Sequence, residues 1–246
     1  MNDIVWILGL AAAVVAIVIG VSLYSARMQR LRREAIARFA DELGLTFSPE
    51  DSEQFRSRLI EFQLFKEGRG QKLFNLLRAE AEGVLLSVFD YQFTTGHGKN
   101  QHTHKQTVLT VESQALHLPP MTLRPESLLD AIAGVLGFRD IDFEDNPEFS
   151  RRFLLKSPNE SLTRKLFDAE VFEFFVARRD IALEAGRNRL VVYRRGKRVK
   201  PADLKALLAD GLQLNNLFAA RMSRLELATE PEPLRARDRD VRSTSS

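Results

Sequence analysis

Cysteine is absent from this 246-residue chain. That excludes a disulfide framework, a thiolate zinc site and a thiol nucleophile, and it fits a reducing compartment. Catalytic signatures are missing too. There is no G-x-S-x-G and no H-E-x-x-H. Gly96-His97-Gly98-Lys99 fails as a phosphate loop, because Phe93 stands where the first glycine is required and Asn100 where Ser or Thr must follow. Charge is lacking over one long stretch: no ionisable acid or base lies between Asp3 and Arg27. These gaps lean against an enzyme, and no catalytic residue or cofactor can be assigned.

What fills the uncharged stretch is IVWILGLAAAVVAIVIGVSLY, Ile4 to Tyr24. As a helix it would be roughly 30 Å long, enough to cross a bilayer core. Trp6 and Tyr24 fall near its ends, where amphipathic rings favour the headgroup layer. The run is too long, and its leading residues too acidic, for a cleaved signal peptide. Arg27, Arg30, Arg32, Arg33 and Arg38 follow directly and nothing basic precedes. The positive-inside rule therefore predicts an outside N-terminus of residues 1–3, a span over 4–24, and the remainder on the cytoplasmic face of a bacterial inner membrane. The five arginines are expected to contact the membrane surface.

The sequence pI near 9.3 invites a nucleic-acid reading. The surplus, however, sits in residues 1–38, which carry five Arg against Asp3 and Glu34; residues 39–246 carry 31 bases and 31 acids. Topology and anionic lipid explain such a surplus better than nucleic acid does.

Beyond the span the periodicities predict an α+β domain over 45–225, a mainly antiparallel sheet packed with helices, with a break between sub-units near 137–148. Ile36, Phe39 and Leu43 form an apolar stripe on a juxtamembrane helix over 25–44 that Gly44 would end. Ser48-Pro49-Glu50-Asp51 and Ser157-Pro158-Asn159-Glu160 read as helix starts, with Ser as N-cap and Pro at the first helical position. Val84–Thr95, Thr107–Glu112, Phe149–Lys156 and Arg189–Tyr193 read as strands, and Phe138–Glu144 alternates like one. Helices are expected over Ser127–Leu136, Pro158–Phe167, Ala169–Ala177 and Pro201–Met222. The polar run from residue 228 to the end should form a disordered tail.

Three features carry candidate chemistry. His97, His102 and His104 fall in a polar connection between strands, and H-x-H on an extended chain puts both rings on one face. A third ring folding back could complete a Zn²⁺ or Ni²⁺ site. Asp140, Asp142, Glu144, Asp145 and Glu148 form an acidic run, which lacks the glycine a calcium loop needs at its sixth position. Nine bases crowd 178–200, and Arg187, Arg189, Arg194, Arg195, Lys197, Arg198 and Lys200 are read as a patch for lipid headgroups or an acidic partner. Tyr193 alone offers a nearby stacking ring, which disfavours single-stranded nucleic acid.

Phe89-Asp90-Tyr91, the Thr94-Thr95-Gly96 turn, Gly98-Lys99 and His104 with Gln106-Thr107-Val108 resemble a group of bacterial single-pass membrane proteins to which no activity is attached. The specific part of the likeness is about 20 residues within FDYQFTTGHGKNQHTHKQTV. It implies a bacterial source and an anchor. The function these observations favour is a membrane-tethered interaction or scaffolding module, with a metal-dependent enzyme or sensor, or a lipid-headgroup binder, as alternatives.

Overall fold

In the computed structural model, which describes residues 2–50, 53–126, 139–178 and 180–229, the apolar run and the arginine-rich stalk are one helix. This helix, α1, spans Asn2–Leu43 without a break. Every residue from Gly9 to Leu31 is exposed, and burial begins at Arg32. It is the one described helix long and apolar enough to cross a membrane. Gly44, at φ +64°, ends it in the left-handed conformation that glycine adopts without penalty.

The chain then builds one eight-stranded sheet: β1 (Thr46–Glu50), β2 (Arg69–Ala81), β3 (Val84–Thr95), β4 (His102–Ser113), β5 (Leu118–Pro125), β6 (Phe153–Lys156), β7 (Ala182–Arg187) and β8 (Arg189–Tyr193). Their order is β1-β2-β3-β4-β8-β7-β5-β6, and every neighbouring pair is antiparallel. The α+β class is thus as the periodicities indicate. Strands from both sides of 137–148 share this sheet, so the expected break does not divide it.

Alternation along the strands separates two cores. Leu86 and Val88 of β3, Leu109 and Val111 of β4, and Leu190 and Val192 of β8 face α1 and the helices α3 (Pro147–Ser150), α4 (Glu160–Leu166), α5 (Ala169–Val176) and α6 (Leu204–Thr229). Phe89, Tyr91 and Phe93, with Val108, Val191 and Tyr193, face the other way. They are covered by the short helix α2 (Glu53–Ser57) and the turn at Gln63–Lys66, through Phe55, Leu59, Phe62 and Leu64.

Several local expectations need correction. Ser48-Pro49-Glu50 belongs to edge strand β1 rather than to a helix start, a position that tolerates proline because the outer side of an edge strand needs no donor. At the second proline box the N-cap is Asn159, whose side chain accepts from Leu162 N at 3.1 Å; Ser157 instead donates to Pro120 O at 2.8 Å. Residues 139–144 make only an isolated bridge, Asp140 to Lys156, and Phe149 lies in α3, so β6 starts at Phe153. Of the stalk stripe, Ile36 is buried and Phe39 half-buried, but Leu43 is exposed and Ala40 takes the inner position. The helix expected at 127–136 lies outside the described residues. So does nearly all of the expected tail, α6 continuing to Thr229.

Candidate functional site

The junction between α1 and the sheet is where the chain's most specific polar chemistry lies. Asp90 sits in the middle of β3 with 1% of its side chain exposed, and a carboxylate so placed needs partners. Arg32 supplies them as a fork: Nε donates to Oδ2 and Nη2 to Oδ1, both at 2.7 Å. Asn75 Nδ2 donates to Oδ2 at 3.1 Å and Thr107 Oγ1 to Oδ1 at 3.0 Å. The remaining guanidinium nitrogen, Nη1, donates to Val199 O at 2.7 Å, and Val199 N donates back to Thr107 Oγ1 at 2.9 Å. Asn75 reaches Asp90 because β2 bulges between Phe74 and Leu77, with Asn75 at φ 56°. One cluster therefore ties together α1, β2, β3, β4 and the segment leading into α6.

This corrects the reading of Arg32 as a membrane-surface residue: its guanidinium is buried in the domain. Arg27, Arg33 and Arg38 are exposed, as is Arg30, which pairs with Glu34 at 2.8 Å.

On the opposite face a second ionic cluster is sealed beneath the Gln63–Lys66 turn. Glu184 accepts from Gln63 N at 2.6 Å, from Leu64 N at 3.1 Å and from Tyr193 Oη at 3.1 Å. Arg124 Nη2 stands 3.5 Å from Glu184 and 3.7 Å from Glu67, in ionic contact without a hydrogen bond. Arg195 closes the set by donating to Glu67 at 2.6 Å. Burial raises the Glu184 carboxyl above its ordinary range, against the opposing pull of Arg124. It also drives the Tyr193 phenol well up, with the Glu184 charge adding to the shift. Two bases against two acids make a charge-balanced cluster.

Two cavities open beside it. One, of about 170 Å³, is lined by Phe62, Pro120, Met121, Pro158 and Glu184. The other, of about 390 Å³, is lined by Ile60, Phe65, Leu73 and Tyr91, with Arg56 and Gln71 on its polar side. Ile60 is 64% exposed there. Tyr91 Oη is buried without a hydrogen-bond partner, and burial raises its phenol pKa. The larger cavity is of a size that takes a small apolar group or a partner's side chain.

The histidines part company. His102 and His104 lie on one face of β4, ring centroids 4.6 Å apart, as H-x-H on a strand requires. His104 stacks on Phe93 at 4.8 Å and its Nε2 is 2.9 Å from Thr95 Oγ1. Burial, then the charges of Arg195 and His102, hold it below the ordinary imidazole value. His97 is exposed at the hairpin tip and does not join them; no group of three potential ligands forms among the described residues. The expected three-histidine centre is therefore corrected to a pair engaged in packing. The acidic run is likewise spread out, Asp140 accepting from Leu155 N and Glu148 pairing with Arg152.

The basic patch at 187–200 is split by the length of β8. At one end Arg189 is buried, pairing with Glu112 at 2.9 Å and Glu61 at 3.1 Å, while Arg187 is exposed nearby, 3.8 Å from Glu61. At the other end Arg195 is buried on Glu67, Lys197 pairs with Asp180 at 2.5 Å, Arg194 is half-buried, and Arg198 and Lys200 are exposed. The missed residues had signals in the sequence. Arg32 lies four residues before Ile36, on the same helix face. Asp90 interrupts the apolar run of β3.

Fold and site together describe an α+β domain fused without a hinge to a long apolar helix. No protein-family model matches the chain, and no curated protein matches it significantly. Among solved structures, the crystal structure of the mycobacterial trehalose monomycolate transport factor A, TtfA, is similar. The TM-score is 0.53 at 13% identity, covering 80% of this chain and 95% of that one. The likeness is one of fold.

Proposed function

We propose that the chain is a non-enzymatic, membrane-anchored accessory protein that holds its α+β domain in a fixed pose beside the membrane for a protein partner. The observation that carries this reading is the unbroken α1 with Arg32 locked onto Asp90. A domain that only needed confinement to a membrane would be served by a flexible linker. Here the helix runs unbroken into the domain, and Ile36 and Ala40, packed on the core, and a forked ion pair hold it to the sheet. In this reading residues 4–24 span the inner membrane with the domain on its cytoplasmic side, as the arginines following the span favour.

The contact surface is the open cavity around Ile60, Phe65 and Tyr91, where an apolar residue is exposed and a buried phenol has an unused donor. The similar structure is that of a transport factor, which favours an accessory role over a catalytic one. Site-specific photo-crosslinking in native membranes tests the proposal. A photoreactive residue at Ile60 is expected to give one discrete adduct, and the same residue at Leu212, exposed on α6, none. Identical ladders from both positions, or no adduct at Ile60, would count against it.

A further inference from the structure

The charge balance of residues 39–246 conceals a spatial polarity. Arg32 sits level with Asp90, and Ile36 packs at the level of Leu77 and Val88, one row further from the β3–β4 hairpin. Helix α1 therefore runs antiparallel to β3, and the tip at Gly96–Gln101 points the same way as the N-terminal, apolar half of α1. From Asp90 to Thr95 the strand advances about 17 Å. Over the same direction α1 rises only about 12 Å from Arg32 back to Tyr24. The hairpin tip is thus carried to the level where the apolar run begins.

Bases outnumber acids at this end. Lys72 and Lys105 flank Gln92 in adjacent strands, one row beyond Asp90 on the α1 face. Lys99 is exposed at the tip, and Arg198 and Lys200 are exposed on the segment hydrogen-bonded to Thr107 and Arg32. With Arg27 and Arg33 they make seven cations, none in an ion pair among the described residues; of the nearby described carboxylates, Glu34, Glu67, Asp90 and Asp180 are paired, leaving Glu50, on β1 in the row of Asp90, and Asp203 against the seven. The opposite end of the sheet exposes Asp41, Glu42, Glu80 and Glu82, against Arg38 and an Arg187 that lies 3.8 Å from Glu61.

We infer that this basic end is a lipid-docking surface: the β3–β4 hairpin and residues 198–200 rest on anionic phospholipid headgroups of the membrane that α1 spans. The inference rests on the anchoring proposed above. Acids at the far end turn that end away from the same surface, so attraction and repulsion orient the domain alike. A Lys or Arg near an anionic leaflet is worth about fivefold in binding, and the effect fades beyond a Debye length.

Because the chain has no cysteine, single labels are straightforward. Full-length protein carrying a fluorophore at Asn100→Cys, at the tip, or at Ala81→Cys, at the far end, is placed in nanodiscs containing headgroup spin-labelled lipid. In discs of equal parts phosphatidylglycerol and phosphatidylcholine, position 100 is expected to be strongly quenched and position 81 not. Pure phosphatidylcholine, about 1 M salt (Debye length about 3 Å) or Lys72→Gln with Lys105→Gln should each release position 100; the double neutralisation should lower the docking equilibrium constant by about 25-fold. Equal quenching at both positions, or quenching indifferent to lipid charge, overturns the inference while leaving the anchor intact. A chain that fails to co-elute with the discs overturns both.

Discussion

Replacing Asp90 by Ala removes the acceptor on which Arg32, Asn75 and Thr107 converge and leaves the Arg32 guanidinium inside the domain, 13% exposed, without its counter-charge. Removing one member of a buried pair costs about 3–5 kcal/mol, most of it the uncompensated charge. Arg32 retains Val199 O, and its slight exposure lets water reach it, so the lower end of the range applies, about 3 kcal/mol. For a domain of this size each kcal/mol moves the midpoint by about 2–4 °C, so a drop of roughly 6–12 °C is expected for the full chain in micelles followed by circular dichroism. Arg32→Ala should cost a similar amount. The pair Arg32→Met with Asp90→Leu should recover most of the loss, since no buried charge remains, and a double-mutant cycle should return a coupling of about 2 kcal/mol or more. A melting temperature for Asp90→Ala within about 2 °C of the parent would refute the claim that this pair fastens helix to sheet.

Other consequences follow from single residues. His104 should titrate below the ordinary imidazole value by NMR, and Arg195→Ala should raise it, since that charge opposes protonation. The folded hairpin holds His104 neutral, so its contribution to stability is complete above the unfolded imidazole pKa and is lost as pH falls toward the folded value. Arg189→Ala, which strands Glu112 and Glu61, should cost about 2–3 kcal/mol in urea melts, whereas Arg198→Ala at the exposed end should stay within about 0.5 kcal/mol. Gly68→Ala should destabilise by more than about 1 kcal/mol, because at φ +62° a Cβ there would run into the Thr94 carbonyl. Gly70→Ala, at a similar φ of +64° in open space, gives the comparison that isolates the clash.

How far the sequence discloses this molecule depends on whether a feature is local. The long apolar N-terminal helix is a matter of length and hydropathy, and the hairpin through Val84–Thr95 and the helix at Ala169–Val176 follow from period alone, so these are legible. Ser48-Pro49-Glu50 misleads because a capping box and an edge strand make the same local demands, and only pairing with β2 decides between them. The basic patch misleads because linear density says nothing about which end of a strand a side chain occupies: Arg189 and Arg198 are nine positions apart yet lie at opposite ends of the sheet. Counting charge along the chain hides the polarity of the domain for the same reason. Arg32 was within reach, since helical spacing puts it on the buried stripe, but its partner lies 58 residues away and only strand order brings it there.

The central claim is that α1 and the sheet move as one body. Pulsed dipolar spectroscopy on the full chain in nanodiscs, with spin labels at Arg27→Cys and Ala81→Cys, measures this directly. One narrow distance distribution is expected in the parent, broadening when Asp90→Ala is added. A broad distribution in the parent, unchanged by that substitution, would contradict the account.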